Sequence, residues 1–148
     1  MSNILIVDDE PCILEILTYW LTEQGHQITC ASSGEEVIQL LPTVNPDLVL
    51  TDIRMGPGNG FQVLMAAKRH DPLVAVIMMT GHLTTPKDGA EAMKLGADDY
   101  LYKPFQLSDL DRRIEYALKY RHVQQIKKSE ERGERPGNTS AGACPICG

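Results

Sequence analysis

No part of this chain carries the roughly 20 consecutive apolar residues that a membrane-spanning helix needs, which excludes a helical membrane protein. No basic segment precedes an apolar run at its start, where a strand-like stretch begins almost at once. A secretory signal is therefore not expected, and a cytoplasmic protein is. Surplus positive charge is also missing. The formal charge is -6, and residues 1–118 hold 17 acids against 8 bases. An acidic body argues against direct nucleic-acid binding by this chain, because such binding rests on phosphate neutralisation. Cysteine is scarce, with four in 148 residues. Cys12 and Cys30 lie among apolar neighbours and read as small buried hydrophobes in a reducing cell. No internal repeat of fixed period is visible, which excludes a solenoid.

What is present is 43% apolar residues over 148, enough for one domain with a core. Five strand-like runs, at residues 4–7, 27–31, 47–51, 74–79 and 100–102, alternate with helix-like stretches. Runs such as LVL and VAVIMM are apolar on both faces, as parallel strands covered by helices above and below must be. Residues 11–24 place Ile13, Leu14, Leu17, Trp20 and Leu21 at helical spacing, with Pro11 in the first turn and Gly25 as the stop. The alternation predicts an α/β fold, a doubly wound five-stranded parallel sheet with five helices.

In the last helix, from about residue 108, Leu107, Leu110, Ile114 and Ala117 form the stripe that would pack on the sheet. Tyr116, Tyr120 and Val123 form a second, offset stripe. It reads either as a surface for a partner helix, as in a homodimer, or as a partly exposed helix end. After Val123 the composition turns polar, so residues 1–122 are expected to form the domain. Residues 123–148 would be a helix end and flexible linker or tail, and their bases are those of a solvated helix end.

Open α/β sheets bind ligands beyond the carboxyl ends of their strands. The first strand delivers Asp8 and Asp9 there, in ILIVDDEP. The third delivers Asp52, in LVLTDIRM, the fourth Thr80, in VIMMTG, and the fifth Lys103, in DYLYKPF. Asp8, Asp9, Asp52 and Lys103 sum to about -2, and carboxylates this close raise one another's pKa. A divalent cation relieves the conflict, and hard oxygen ligands favour Mg²⁺. With the charge neutralised, the Asp52 carboxylate can attack a phosphoryl group, helped by Lys103 and the Thr80 hydroxyl.

In order and placement, IVDDEP, DLVLTDIRM, GNGFQVL, VIMMTG and EAMKLGADDYLYKPF resemble the receiver domain of bacterial two-component response regulators. The resemblance implies a flavodoxin-like strand order 2-1-3-4-5. It implies Asp52 as phosphoacceptor, and Asp8, Asp9, Asp52 and the backbone carbonyl of Arg54 as ligands of Mg²⁺. It further implies Thr80 and Tyr100 as the switch pair, and a cis bond between Lys103 and Pro104. The phosphoryl donor would be a sensor histidine kinase or phosphotransfer protein. The responsive surface would be the face of the fourth helix, fifth strand and fifth helix. Beyond slow self-dephosphorylation, such a switch is not an enzyme. Two departures stand out: Gly56 precedes Pro57 in MGPGNG, and HLTTPKDGA is one residue longer than is usual.

The alternative is a haloacid-dehalogenase-like phosphatase, which also forms an aspartyl phosphate. That class resembles D-x-D at the end of strand one, whereas here the acids are adjacent and the nucleophile candidate sits on strand three. No helix-turn-helix or ATPase loop appears, so no downstream target is legible. Cys144 and Cys147, in CPICG, form a zinc half-site, two ligands of the four that zinc takes. They read as part of a further zinc module, as an inert tail, or as half of a site shared by two chains.

Overall fold

Side chains along each strand alternate between the two faces of a pleated sheet, and here both sets are apolar. In the computed structural model, which describes residues 2–53, 60–81 and 86–131, this produces one sheet between two helical layers. The elements run β1 (Asn3–Val7), α1 (Pro11–Glu23), β2 (Gln27–Ala31), α2 (Gly34–Val44), β3 (Leu48–Asp52), α3 (Gly60–His70), β4 (Ala75–Thr80), α4 (Pro86–Lys94), β5 (Asp99–Tyr102) and α5 (Leu107–Glu131). All strand pairs are parallel and the order is β2-β1-β3-β4-β5, as the resemblance implied.

Leu5, Val7, Val49, Val76 and Met78 pack with Val37, Leu41, Val63 and Leu64 of α2 and α3. Ile4, Ile6, Leu50, Ile77 and Met79 turn the other way, onto Leu17 and Leu21 of α1 and Leu110, Ile114 and Ala117 of α5. α1 starts with Pro11 at its first turn, where no N–H is required. The chain leaves it through Gly25 at φ +96°, and leaves α4 through Gly96 at φ +110°. The Trp20 indole N–H, shared between both Asp111 carboxylate oxygens at 3.0 Å, ties α1 to α5.

The last helix continues past Val123 to Glu131. Gln, Ile, Lys and Glu over 124–131 are adequate helix formers, and no glycine intervenes before Gly133. Cys12 is exposed rather than buried, because it sits on the side of α1 opposite the Leu17–Leu21 stripe. Cys30 is half-buried, its Sγ 3.0 Å from Thr18 Oγ1.

His26 is half-buried at the α1–β2 turn, with Nδ1 lacking a hydrogen-bond partner. Burial lowers its pKa below the ordinary 6.5, outweighing the opposing pull of Asp111 and Glu115. The fold therefore favours neutral His26. That contribution is complete above the unfolded pKa and is lost as pH falls through 6.5 toward the folded value. Urea midpoints measured from pH 7.5 to 5 should drop, and the His26→Gln variant should drop less over the same window.

Candidate functional site

β1 pairs with β2 on one side and β3 on the other, so chain direction across the sheet reverses beside β1. A crevice opens at such a point, beyond the carboxyl ends of the strands. Asp8 follows β1 directly, Asp52 is the last residue of β3, Thr80 the last of β4, and Lys103 follows β5. Parallel register aligns these ends. Ile53 N–H donates to Met79 O at 3.1 Å, and Lys103 N–H donates to Thr80 O at 2.6 Å.

Ligand oxygens of Asp8, Asp9, Glu10 and Asp52 all lie within 4.8 Å of one another. Asp8 is fully buried and Asp52 is 6% exposed, while Asp9 and Glu10 face solvent. Glu10 was part of the motif read from the sequence but was not named as a site residue. Its inclusion raises the excess of negative over positive charge around Lys103 from two to three.

The Lys103 ammonium spans the cluster, with Nζ 2.8 Å from Asp8 Oδ2, 3.2 Å from Asp52 Oδ2 and 3.8 Å from Glu10 Oε1. Burial pulls its pKa down, but the hydrogen bond to Asp8 and the charges of Asp52 and Asp8 outweigh that and hold it above the usual lysine value. The lysine stays charged across the neutral range, yet one cation cannot balance four carboxylates. Oxygen donors this concentrated, two buried and two open to water, suit a small hard dication that keeps part of its hydration.

Thr80 is buried, and its hydroxyl donates to Leu101 O at 3.2 Å. Leu101 lies between Tyr100, half-buried against the core, and Tyr102, which is 58% exposed. The two tyrosine rings meet edge to face at 5.5 Å. The bond from Lys103 to Pro104 is cis, as the resemblance implied.

One important position carries no functional group. Gly60 opens α3 against the end of β3, where its N–H donates to Ile53 O at 2.8 Å. A Cβ there would overlap the carbonyl oxygen of Asp52 and lie 2.8 Å from Ile53 Cα. Gly60 stands in the quoted GNGFQVL, but nothing in that motif says which backbone it must approach. Arg54, Gly56, Pro57, Cys144 and Cys147 lie outside the described residues.

Fold and site together define a doubly wound α/β protein with an acidic crevice poised for a cation and a phosphoryl group. The family model for the response regulator receiver domain matches residues 4–115, and the chain belongs to that family. It is a signalling protein of two-component systems, and the haloacid-dehalogenase-like alternative finds no support.

The chain is similar to the regulatory protein AtoC of Escherichia coli, 35% identical over 86% of this chain and 27% of the relative. It is also similar to the transcriptional regulatory protein AfsQ1 of Streptomyces coelicolor, 34% identical over 95% and 56%. It thus spans between about a quarter and three-fifths of the length of such relatives. Among solved structures, a receiver domain protein from Clostridium thermocellum superposes with TM-score 0.78 at 33% identity, covering 84% of this chain and 99% of that one. NtrX from Brucella abortus gives 0.81 at 26% identity, covering 88% and 30%. No described helix is long and apolar enough to cross a membrane.

Proposed function

We propose that residues 1–122 act as a phospho-accepting switch in which Asp52 takes a phosphoryl group from a phosphohistidine of a partner kinase or phosphotransfer protein. The observation that carries this reading is the Lys103 ammonium, which bridges the buried carboxylates Asp8 and Asp52 at the reversal of strand order. Asp8, Asp9, Asp52 and the Arg54 carbonyl would hold Mg²⁺. When bound, that ion supplies charge neutralisation for the carboxylates and the incoming phosphoryl oxygens. An Asp52 oxygen forms the new O–P bond as the P–N bond of the donor breaks, and the imidazole leaves with the electron pair. Lys103 faces the added negative charge.

The Thr80 hydroxyl reaches the new group only by giving up Leu101 O, which frees the backbone between the two tyrosines. Tyr100 then turns inward, and the surface of α4, β5 and α5 changes for a downstream partner. The chain acts by binding, in the cytoplasm, and its chemistry stops at accepting phosphate and losing it slowly.

The test uses beryllofluoride with Mg²⁺, which mimics an aspartyl phosphate. Binding should shift the Tyr100 ring resonances in the wild type and leave Asp52→Ala unmoved. No binding by the wild type rejects the reading. Mg²⁺ alone should stabilise the fold, by about 2.7 kcal/mol at a hundredfold excess over its Kd. Asp8→Asn should abolish most of that gain in a thermal scan.

A further inference from the structure

The two edge strands of the sheet, β2 and β5, are built differently. β5 carries Asp99, which Arg113 of α5 holds at 2.7 Å. β2, with the sequence QITCA, has no charge and no proline, and its register with β1 runs unbroken by a bulge. Those are the devices that commonly keep an edge from pairing. Gln27 N–H donates to Ser2 O, and Ala31 O accepts from Asp8 N–H, so the odd-numbered residues of β2 face β1. In a parallel ladder the residues between them turn their backbone groups the other way. The N–H and C=O of Ile28 and Cys30 therefore point off the sheet, where no sixth strand lies among the described residues.

A groove of about 520 Å³ runs beside this edge, between α1 and β2. Leu14, Thr18, Tyr19 and Cys30 line it, and Tyr19 is 69% exposed. Glu15 and Glu23 line it too, and eight positions of helix separate them by about 12 Å. Nothing positive answers them. The first 53 residues contain no lysine or arginine, and all 14 such residues lie further along the chain. The bases that fold back onto this half reach Asp8, Glu10, Asp47 and Asp52. Glu15, Glu23 and Glu35 have no ion pair among the described residues. The flank of α1, β2 and α2 is thus anionic around an apolar groove and an open strand edge.

We propose that this flank takes an extended basic segment of a partner protein, which pairs with β2 as a sixth strand. The segment lies about 4.8 Å from β2, and its backbone bonds to Ile28 and Cys30. Alternate side chains of a strand share a face, and four residues of strand span about 13 Å. A lysine or arginine at each end of such a stretch matches the separation of Glu15 and Glu23. An apolar residue midway between them covers Leu14 and Tyr19. A second copy of this chain is a poor occupant, because the same glutamates would face one another across the edge. β5 lies at the opposite edge of the sheet. The surface is therefore separate from that of α4, β5 and α5, and it needs no phosphorylation at Asp52.

The test is a titration of the 148-residue protein, with Mg²⁺ present, by the capped peptide TKTVTKT, read from backbone amide resonances. The expected result is saturable binding that moves the Ile28 and Cys30 amides most. The peptide TETVTET should bind at least tenfold more weakly. Glu15→Gln with Glu23→Gln changes two exposed side chains and should weaken TKTVTKT by about tenfold, as should raised salt. No binding at millimolar peptide, equal binding of the two peptides, or a double variant that binds like the wild type would each overturn the proposal. So would shifts centred on Asp8 and Asp9 or on α5. Concentration-dependent shifts of Ile28 and Cys30 without peptide would place a second copy on the edge and overturn it as well.

Discussion

Asp52→Asn should cut phosphoryl uptake from a small acyl phosphate by about three orders of magnitude or more, the scale of loss when a nucleophile is removed. The amide keeps the shape and volume of the acid but offers no anionic oxygen to phosphorus. Asp8 cannot replace it, being fully buried and already engaged by Lys103 at 2.8 Å and by the Glu10 N–H at 2.9 Å. Asp9 and Glu10 are exposed and lie at the rim. The readout is the base-labile label on the protein. Near wild-type incorporation in Asp52→Asn would move the acceptor to another carboxylate and dismantle the assignment. The variant should fold, because the amide oxygen remains an acceptor for Lys103 in the same place.

The second large effect comes from a residue with no side chain. Gly60→Ala should cost about 3 kcal/mol, at the upper end for overpacking, with a fall in Tm on the order of 10 °C. The added methyl meets backbone on both sides, the Asp52 carbonyl and Ile53 Cα, and neither can turn away as a side chain would. Asp52 and Ile53 are held by β3–β4 pairing and by the buried Ile53 side chain. Relief can come only by shifting α3 or the end of β3, and the latter moves the Asp52 carboxylate. Thermal unfolding and Mg²⁺ affinity should therefore fall together. Wild-type stability with unchanged Mg²⁺ affinity would show that the α3–β3 junction yields freely.

The core was legible in the sequence because both helical layers demand apolar residues on both faces of the same strands. LVLT, AVIMM and ILIV reported that demand without any tertiary information. The acids and Lys103 were legible for a related reason: charged residues that end a buried apolar run need an explanation that surface loops do not. The exposure of Cys12 was not legible, since one helical position decides it and the apolar neighbours on either side mislead. Nor was the length of α5, where a polar composition suits a solvated helix as well as a linker. Nor does the sequence show that His26 and His122 are half-buried, which depends on how the elements around them pack.

Strand number, the layering of helices on both faces and the identity of the clustered acids follow from the order of residues alone, because periodicity and charge are local properties. That the Thr80 hydroxyl donates to Leu101 O, and that a missing Cβ at Gly60 makes room for the Asp52 carbonyl, were decided by the tertiary fold. Those facts depend on distances between segments tens of residues apart, and only the packed sheet sets such distances.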